Sequence, residues 1–146
     1  MQRKLCFAFL AAMSLFAPAL ASESQVQKVF KQIEINAKKN KLSRDNASAV
    51  KGGKEEKALV YQLNGTTDLL QLIRLCSQKR KHLPGTEQQH EAEHDYFMDC
   101  EQFAIRKIGA IGTPQAAKAL DRVEKLESGN ATVMEVITEA REKCRH

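Results

Sequence analysis

The sequence predicts an all-α domain of five to six helices. Three observations carry this. Apolar residues recur at helical spacing along most of the chain, the breaks between those stretches are marked by Gly, Pro and Asn, and no segment alternates apolar and polar residues as a half-buried strand does. Length and composition agree, because 146 residues with 42% apolar and 28% charged content make one small domain. Seven glycines and three prolines exclude collagen-like and Pro/Gly-rich chains. No apolar run reaches the ~20 residues of a membrane span.

Residues 1–21 form an address. Arg3 and Lys4 precede an apolar stretch from Leu5 to Phe16, followed by Ala17-Pro18-Ala19-Leu20-Ala21. A basic start, an apolar centre and an Ala-x-Ala end are the parts of a secretory signal peptide. Pro18 breaks the helix ahead of a cut after Ala21, and Cys6 lies too far from that site for a lipid-modified terminus. The expected location is periplasmic or secreted. Loss of Arg3 and Lys4 leaves 21 basic and 18 acidic side chains, a net charge of +3.

Helices follow in order. Val26, Val29, Phe30, Ile33 and Ala37 make one stripe, with Ser22 and Gln25 as a capping box. Ser43 to Lys54 is polar, contains Gly52-Gly53 and reads as a flexible linker, so 22–54 is a helix plus linker ahead of a helical domain over 55–146. A short helix over about 55–64 carries Leu59, Val60 and Leu63, and Gly65 ends it. Thr66, Thr67 and Asp68 offer N-caps for a helix bearing Leu69, Leu72, Ile73 and Cys76, which stops at Leu83-Pro84-Gly85. A long helix over about 87–111 aligns Phe97, Cys100, Ala104, Ile108 and Ile111. Gly112-Thr113-Pro114 supplies a turn, an N-cap and a proline at the first helical position of a helix with Ala117, Leu120 and Val123. After Ser128-Gly129-Asn130, a Thr132 and Glu135 capping box opens a helix with Val133, Val136, Ile137, Ala140 and Cys144 on one face.

Charge and cysteine content narrow the function. The basic runs Lys38-Lys39 and Lys79-Arg80-Lys81-His82 fall at helix ends, where cations meet the dipole, so they read as solvated ends and no nucleic-acid partner is expected. In an oxidising compartment Cys76, Cys100 and Cys144 favour one disulfide. Cys76–Cys100, closing the polar stretch from Ser77 to Asp99, is the expected pair, worth about 3 kcal/mol by loop closure. Cys144 is then a small core residue or a link between chains, and Cys100–Cys144 is the rival pairing. Asn46, Asn64 and Asn130 stand in Asn-x-Ser/Thr triplets, but the leader is of compact bacterial type, so they read as turn residues without glycans.

Displacing the chain by 48 superposes Val60, Leu63, Leu69, Leu72 and Leu75 on Ile108, Ile111, Ala117, Leu120 and Val123. The turns Asn64-Gly65-Thr66-Thr67 and Ile111-Gly112-Thr113-Pro114 correspond as well. That period is near the length of α-solenoid units. The stretch AIRKIGAIGTPQAAKALDRVEKL (104–126) resembles a HEAT repeat, and 55–78 is a weaker copy without the Pro or the Ala-rich second helix. The resemblance implies a small HEAT-like array of helical hairpins that binds another protein, with no catalytic residues to carry over. The alternative is a plain bundle.

His90-Glu91-Ala92-Glu93-His94 matches HExxH, in which two histidines one turn apart grip zinc and the glutamate activates a bound water. Phe97 stands where the longer form of that motif needs a turning glycine, Cys100 where it has its third ligand, and no strand is predicted to hold a substrate. The expectation is a non-enzymatic adaptor, without cofactor, for a protein of the envelope or of a secretion machine. The alternatives are a metal-binding or metal-sensing protein using His90 and His94, helped by His82 or Asp95, and a small zinc protease.

Overall fold

A computed structural model describes residues 22–43 and 53–145; the expected signal segment and the 44–52 part of the linker lie outside them. Among the described residues there are six helices and no strand. They are α1 Gln25–Ser43, α2 Lys54–Val60, α3 Thr66–Lys81, α4 Glu87–Ile111, α5 Pro114–Leu126 and α6 Ala131–Cys144. The chain is all-α, a six-helix bundle. No helix among the described residues is long and apolar enough to cross a membrane.

The bundle is organised around α4, which packs against each of the other five helices. At 25 residues it is the longest element, about 37 Å at 1.5 Å per residue. Phe97, Cys100, Ala104, Ile105 and Ile108 are fully buried along it. Each large side chain of this set contributes about 1.5–3 kcal/mol by leaving water. They meet Val29 and Ile33 of α1, Leu69, Leu72 and Ile73 of α3, Leu120 and Val123 of α5, and Val133 and Ile137 of α6 in one core.

The helix ends depart from the sequence reading in instructive ways. The box at the start of α1 is Ser24 with Gln27, not Ser22 with Gln25. Ser24 Oγ accepts from Gln27 N–H at 3.2 Å, and Gln27 Oε1 accepts from Ser24 N–H at 3.3 Å. Helix α2 ends at Val60, short of the expected 64, and in the turn that follows Lys107 Nζ donates to Tyr61 O at 3.0 Å and also to Leu63 O. Gly65, not a threonine, is the N-cap of α3, and no side chain caps it. Thr113 caps α5 as predicted, its Oγ1 accepting from Ala116 N–H at 3.1 Å. Helix α6 is capped by Asn130 and not by Thr132; Asn130 Oδ1 accepts from Val133 N–H at 3.2 Å. Asn, as good a cap as threonine and two residues earlier, starts the helix first.

Cys76 and Cys100 are free thiols, as is Cys144, and the structure carries no Cys76–Cys100 bridge. The first two belong to the apolar stripes of α3 and α4 and are fully buried; they do not flank an exposed excursion. Burial raises both thiols well above their ordinary range, more so at Cys76 through nearby Cys100 and at Cys100 through Glu56. A thiol held protonated in this way is a poor nucleophile for disulfide exchange. Cys144 is half-buried, its sulfur 3.7 Å from the carbonyl of Gly109.

That contact marks where α4 and α6 approach most closely. A Cβ on Gly109 would lie 2.8 Å from Ala140 Cα and from its carbonyl oxygen, both backbone atoms that cannot rotate away. Gly109→Ala is therefore expected to destabilise the protein by about 1–3 kcal/mol despite the better helix propensity of alanine. Gly129→Ala, with nothing within 4 Å, is the control and should stay within ~0.5 kcal/mol in the same denaturant titration.

Candidate functional site

Three features of this bundle bear on its function. The first is a groove between α3 and α5, about 500 Å³ in volume. The two helices run side by side in the same direction: their first halves, Thr66 to Arg74 and Gln115 to Arg122, line the groove, and their C-terminal ends meet where Ser77, Arg80 and Lys81 hold Glu127. Leu70 and Ala119 form its floor, 6% and 4% exposed. Its charged lining is Arg74, Lys118 and Arg122, and none of the three makes an ion pair among the described residues. The acids of α5 face elsewhere: Arg141 of α6 reaches Asp121 at 2.6 Å and also holds Glu124. Lys118 and Arg122 stand one turn apart on α5, and although Asp121 is only three residues from Lys118, it and Glu124 are engaged by Arg141 on the side of α6.

The second feature lies beyond the C-terminal ends of the same helices. Arg80, which the sequence places in a solvated basic run, is buried. Its Nε donates to Glu101 of α4 at 2.8 Å, and its Nη2 donates to Glu127, just past α5, at 2.8 Å. Glu127 also accepts from Ser77 Oγ, and from Lys81 Nζ at 3.0 Å. Its carboxyl stays below the usual range, because these donors outweigh the burial that would raise it. Glu101 has the opposite fate. It is fully buried, its Oε1 has no hydrogen-bond partner among the described residues, and burial pushes its carboxyl up to about 7 although Arg80 pulls it down. Asp99 on the same helix is raised to about 6 by burial, with Glu56 and Asp95 adding to the rise.

The structure brings His90 and His94 together. One turn apart on α4, they line a cleft of about 260 Å³ shared with Arg80, Lys81 and Thr86. A neighbouring hollow of about 520 Å³ is lined by His94 with Met98 and Asn130. His90 lies 3.5 Å from Glu93, and His94 lies 3.6 Å from Asp95. His82 does not join them; its Nδ1 is 2.7 Å from the carbonyl of Gln78 on its own helix. Helix α4 runs unbroken through Phe97, so the chain does not turn there and Cys100 stays in the core, away from the histidines. Among the described residues, no three His, Cys, Asp or Glu side chains gather as a metal-binding group.

Sequence reasoning missed Arg80, Glu101 and Glu127, whose partners lie 21 and 47 residues apart and leave no local pattern. It also passed over the groove cations, although the 48-residue displacement pairs Arg74 with Arg122 and was itself visible.

The raised carboxyl of Glu101 has a thermodynamic consequence. In the unfolded chain it titrates near 4.5 and in the folded protein near 7. Between those values the folded state holds the extra proton, so stability is full below about 4.5 and is lost as pH rises through about 7. The loss amounts to about 1–3 kcal/mol. Glu101→Gln cannot undergo it, and its stability relative to wild type should improve between about pH 5 and about pH 8 in chemical denaturation. A difference independent of pH would show that Glu101 titrates normally. Arg80→Met, which removes the ion-pair partner of Glu101 and leaves Glu127 only Ser77 and Lys81, is expected to cost about 3–5 kcal/mol near neutral pH in the same assay.

No family model, no curated protein and no solved structure matches this chain, and its function is read from these features alone.

Proposed function

We propose that the chain is an exported, non-enzymatic helical adaptor, HEAT-like over about 55–126, whose α3–α5 groove receives a protein of the cell envelope or of a secretion system. The observation that carries this is the correspondence between the groove and the internal echo of the sequence. Across it stand residues related by the same displacement of 48: Thr67 with Gln115, Leu70 with Lys118, Gln71 with Ala119, and Arg74 with Arg122. The groove thus lies between the second helices of two similar helical units, a surface that repeated helix pairs form wherever they stack. Its floor is apolar and its rim polar and charged, the composition of a protein-recognition patch. The signal-like segment at 1–21 supplies the location.

The HExxH residues support this reading by what they face. Their cleft is shared with the basic side chains of Arg80 and Lys81, and Cys100, at the third-ligand position, is a core thiol. Metal binding or proteolysis at His90, Glu91 and His94 is the competing reading.

Site-specific photo-crosslinking in the cell envelope tests the adaptor reading. A photoreactive residue at Gln71 or Lys118, both exposed, should yield an adduct with one and the same envelope protein. The exposed control positions Lys28 and Glu135 should not. Equal labelling at all four positions would count against the groove. Stoichiometric zinc or copper in the purified protein, lost in a His90→Ala, His94→Ala double variant, would replace the adaptor by the metal-binding reading. Peptide cleavage abolished by Glu91→Gln would replace it by a protease.

A further inference from the structure

The charges around the α3–α5 groove specify its occupant more narrowly than the adaptor reading, on which this step rests. We infer that the groove binds an extended acidic polypeptide segment of the partner, with carboxylates on alternate residues.

The first argument is electrostatic. Arg74 stands on one wall and Lys118 and Arg122 on the other, and among the described residues no acidic side chain lines the groove. The acids that could have neutralised them are committed elsewhere, Asp121 and Glu124 to Arg141, and Glu34 to Lys79. Asp68, the acid in the first turn of α3, lies outside the groove. Three cations gathered around a concave surface, with their counter-charges turned away, raise the local concentration of an anionic partner.

The second argument is spacing. Lys118 and Arg122 are four residues apart on one helix face, about 6 Å. Alternate side chains of an extended chain lie on one face about 7 Å apart, so carboxylates at every second position can meet both cations. The intervening side chains then point the other way, onto Leu70 and Ala119. That floor is shallow and apolar, which suits small residues. From Thr67 to Arg74 the groove runs about 10 Å, the length of three to four extended residues.

The test uses the purified protein and fluorescent peptides of about ten residues, long enough to overrun the groove. One alternates Glu and Ala, one Gln and Ala, and one Lys and Ala. Fluorescence anisotropy should show the Glu–Ala peptide binding at least about tenfold more tightly than the Gln–Ala peptide, and weakening in salt of about 1 M, where the screening length is ~3 Å. The triple variant Arg74→Glu, Lys118→Glu, Arg122→Glu should lose that binding and prefer the Lys–Ala peptide instead. All three side chains are exposed, and an unchanged circular dichroism melt verifies that the variant folds.

Equal binding of the Glu–Ala and Gln–Ala peptides, or undiminished Glu–Ala binding by the triple variant, overturns the inference. So does a chain that ignores the peptides and binds chondroitin sulfate through the same three residues. An envelope protein crosslinked at Gln71 through a segment without acidic residues would sink the acidic occupant while leaving the adaptor in place. Peptide binding without any groove-dependent adduct in the envelope would do the reverse.

Discussion

Arg80 enters the interior of the bundle and is held there by carboxylates from two different segments, Glu101 on α4 and Glu127 at the end of α5. Taking three charges out of water costs several kcal/mol each, recovered only where geometry and further hydrogen bonds are good. Here they are unequal. Glu127 is satisfied by Ser77 and Lys81 as well, whereas Glu101 keeps one oxygen unpartnered and resists ionisation. Arginine suits this position where lysine would not, since its planar fork offers separate donors to two carboxylates at once. The network fixes where the C-terminal ends of α3 and α5 lie relative to each other and to α4. Because those two helices are also the walls of the groove, its width at that end follows from the same three side chains.

Charge is sorted across the bundle by similar means. A chain with a formal excess of +5 uses many of its acids internally: Glu101 and Glu127 on Arg80, Asp121 and Glu124 on Arg141, Glu34 on Lys79. What remains in the groove is a local excess of positive charge that the net figure does not convey. Helix α5 tolerates Lys118 and Arg122 one turn apart. The like-charge repulsion of an i,i+4 pair on an exposed face amounts to only about 0.2–0.5 kcal/mol.

The helices themselves were legible. Most of their stripe residues, from Val26 through Ala140, are buried in the core, although on α5 it is Ala116 and Ala119 that are buried and not the expected Ala117, and the breaks at Gly65, Gly85, Gly112 and Gly129 fall between helices. Burial of an apolar stripe is a local property that spacing reports directly. Interactions between distant segments were not legible. Arg80 looked like part of a solvated run because helix-end lysines usually are, and only the position of Glu127, 47 residues on, makes it an interior residue. The cap of α6 was misplaced for a related reason, while that of α5 at Thr113 was not: Asn130 and Thr132 are both competent, and the choice depends on which residue the preceding turn brings into extended conformation. The cysteines were read from compartment chemistry, while their places on the stripes of α3 and α4, already visible, pointed to the core.

The two strongest periodic signals in the sequence, HExxH and the displacement of 48, illustrate what spacing encodes. An i, i+4 pair fixes that two side chains share a helix face, and His90 and His94 do share one. It does not fix what the neighbouring helix presents, and here α3 presents Arg80 and Lys81, with no further metal ligand gathered alongside among the described residues. The displacement of 48 relates two helices to each other instead of two residues within one. It therefore carries information about the facing surface, and the residues it pairs, Thr67 with Gln115 through Arg74 with Arg122, stand on opposite walls of one groove. Long-period similarity of this kind constrains neighbours as well as faces, and so the groove, more than the histidine motif, bears the functional reading.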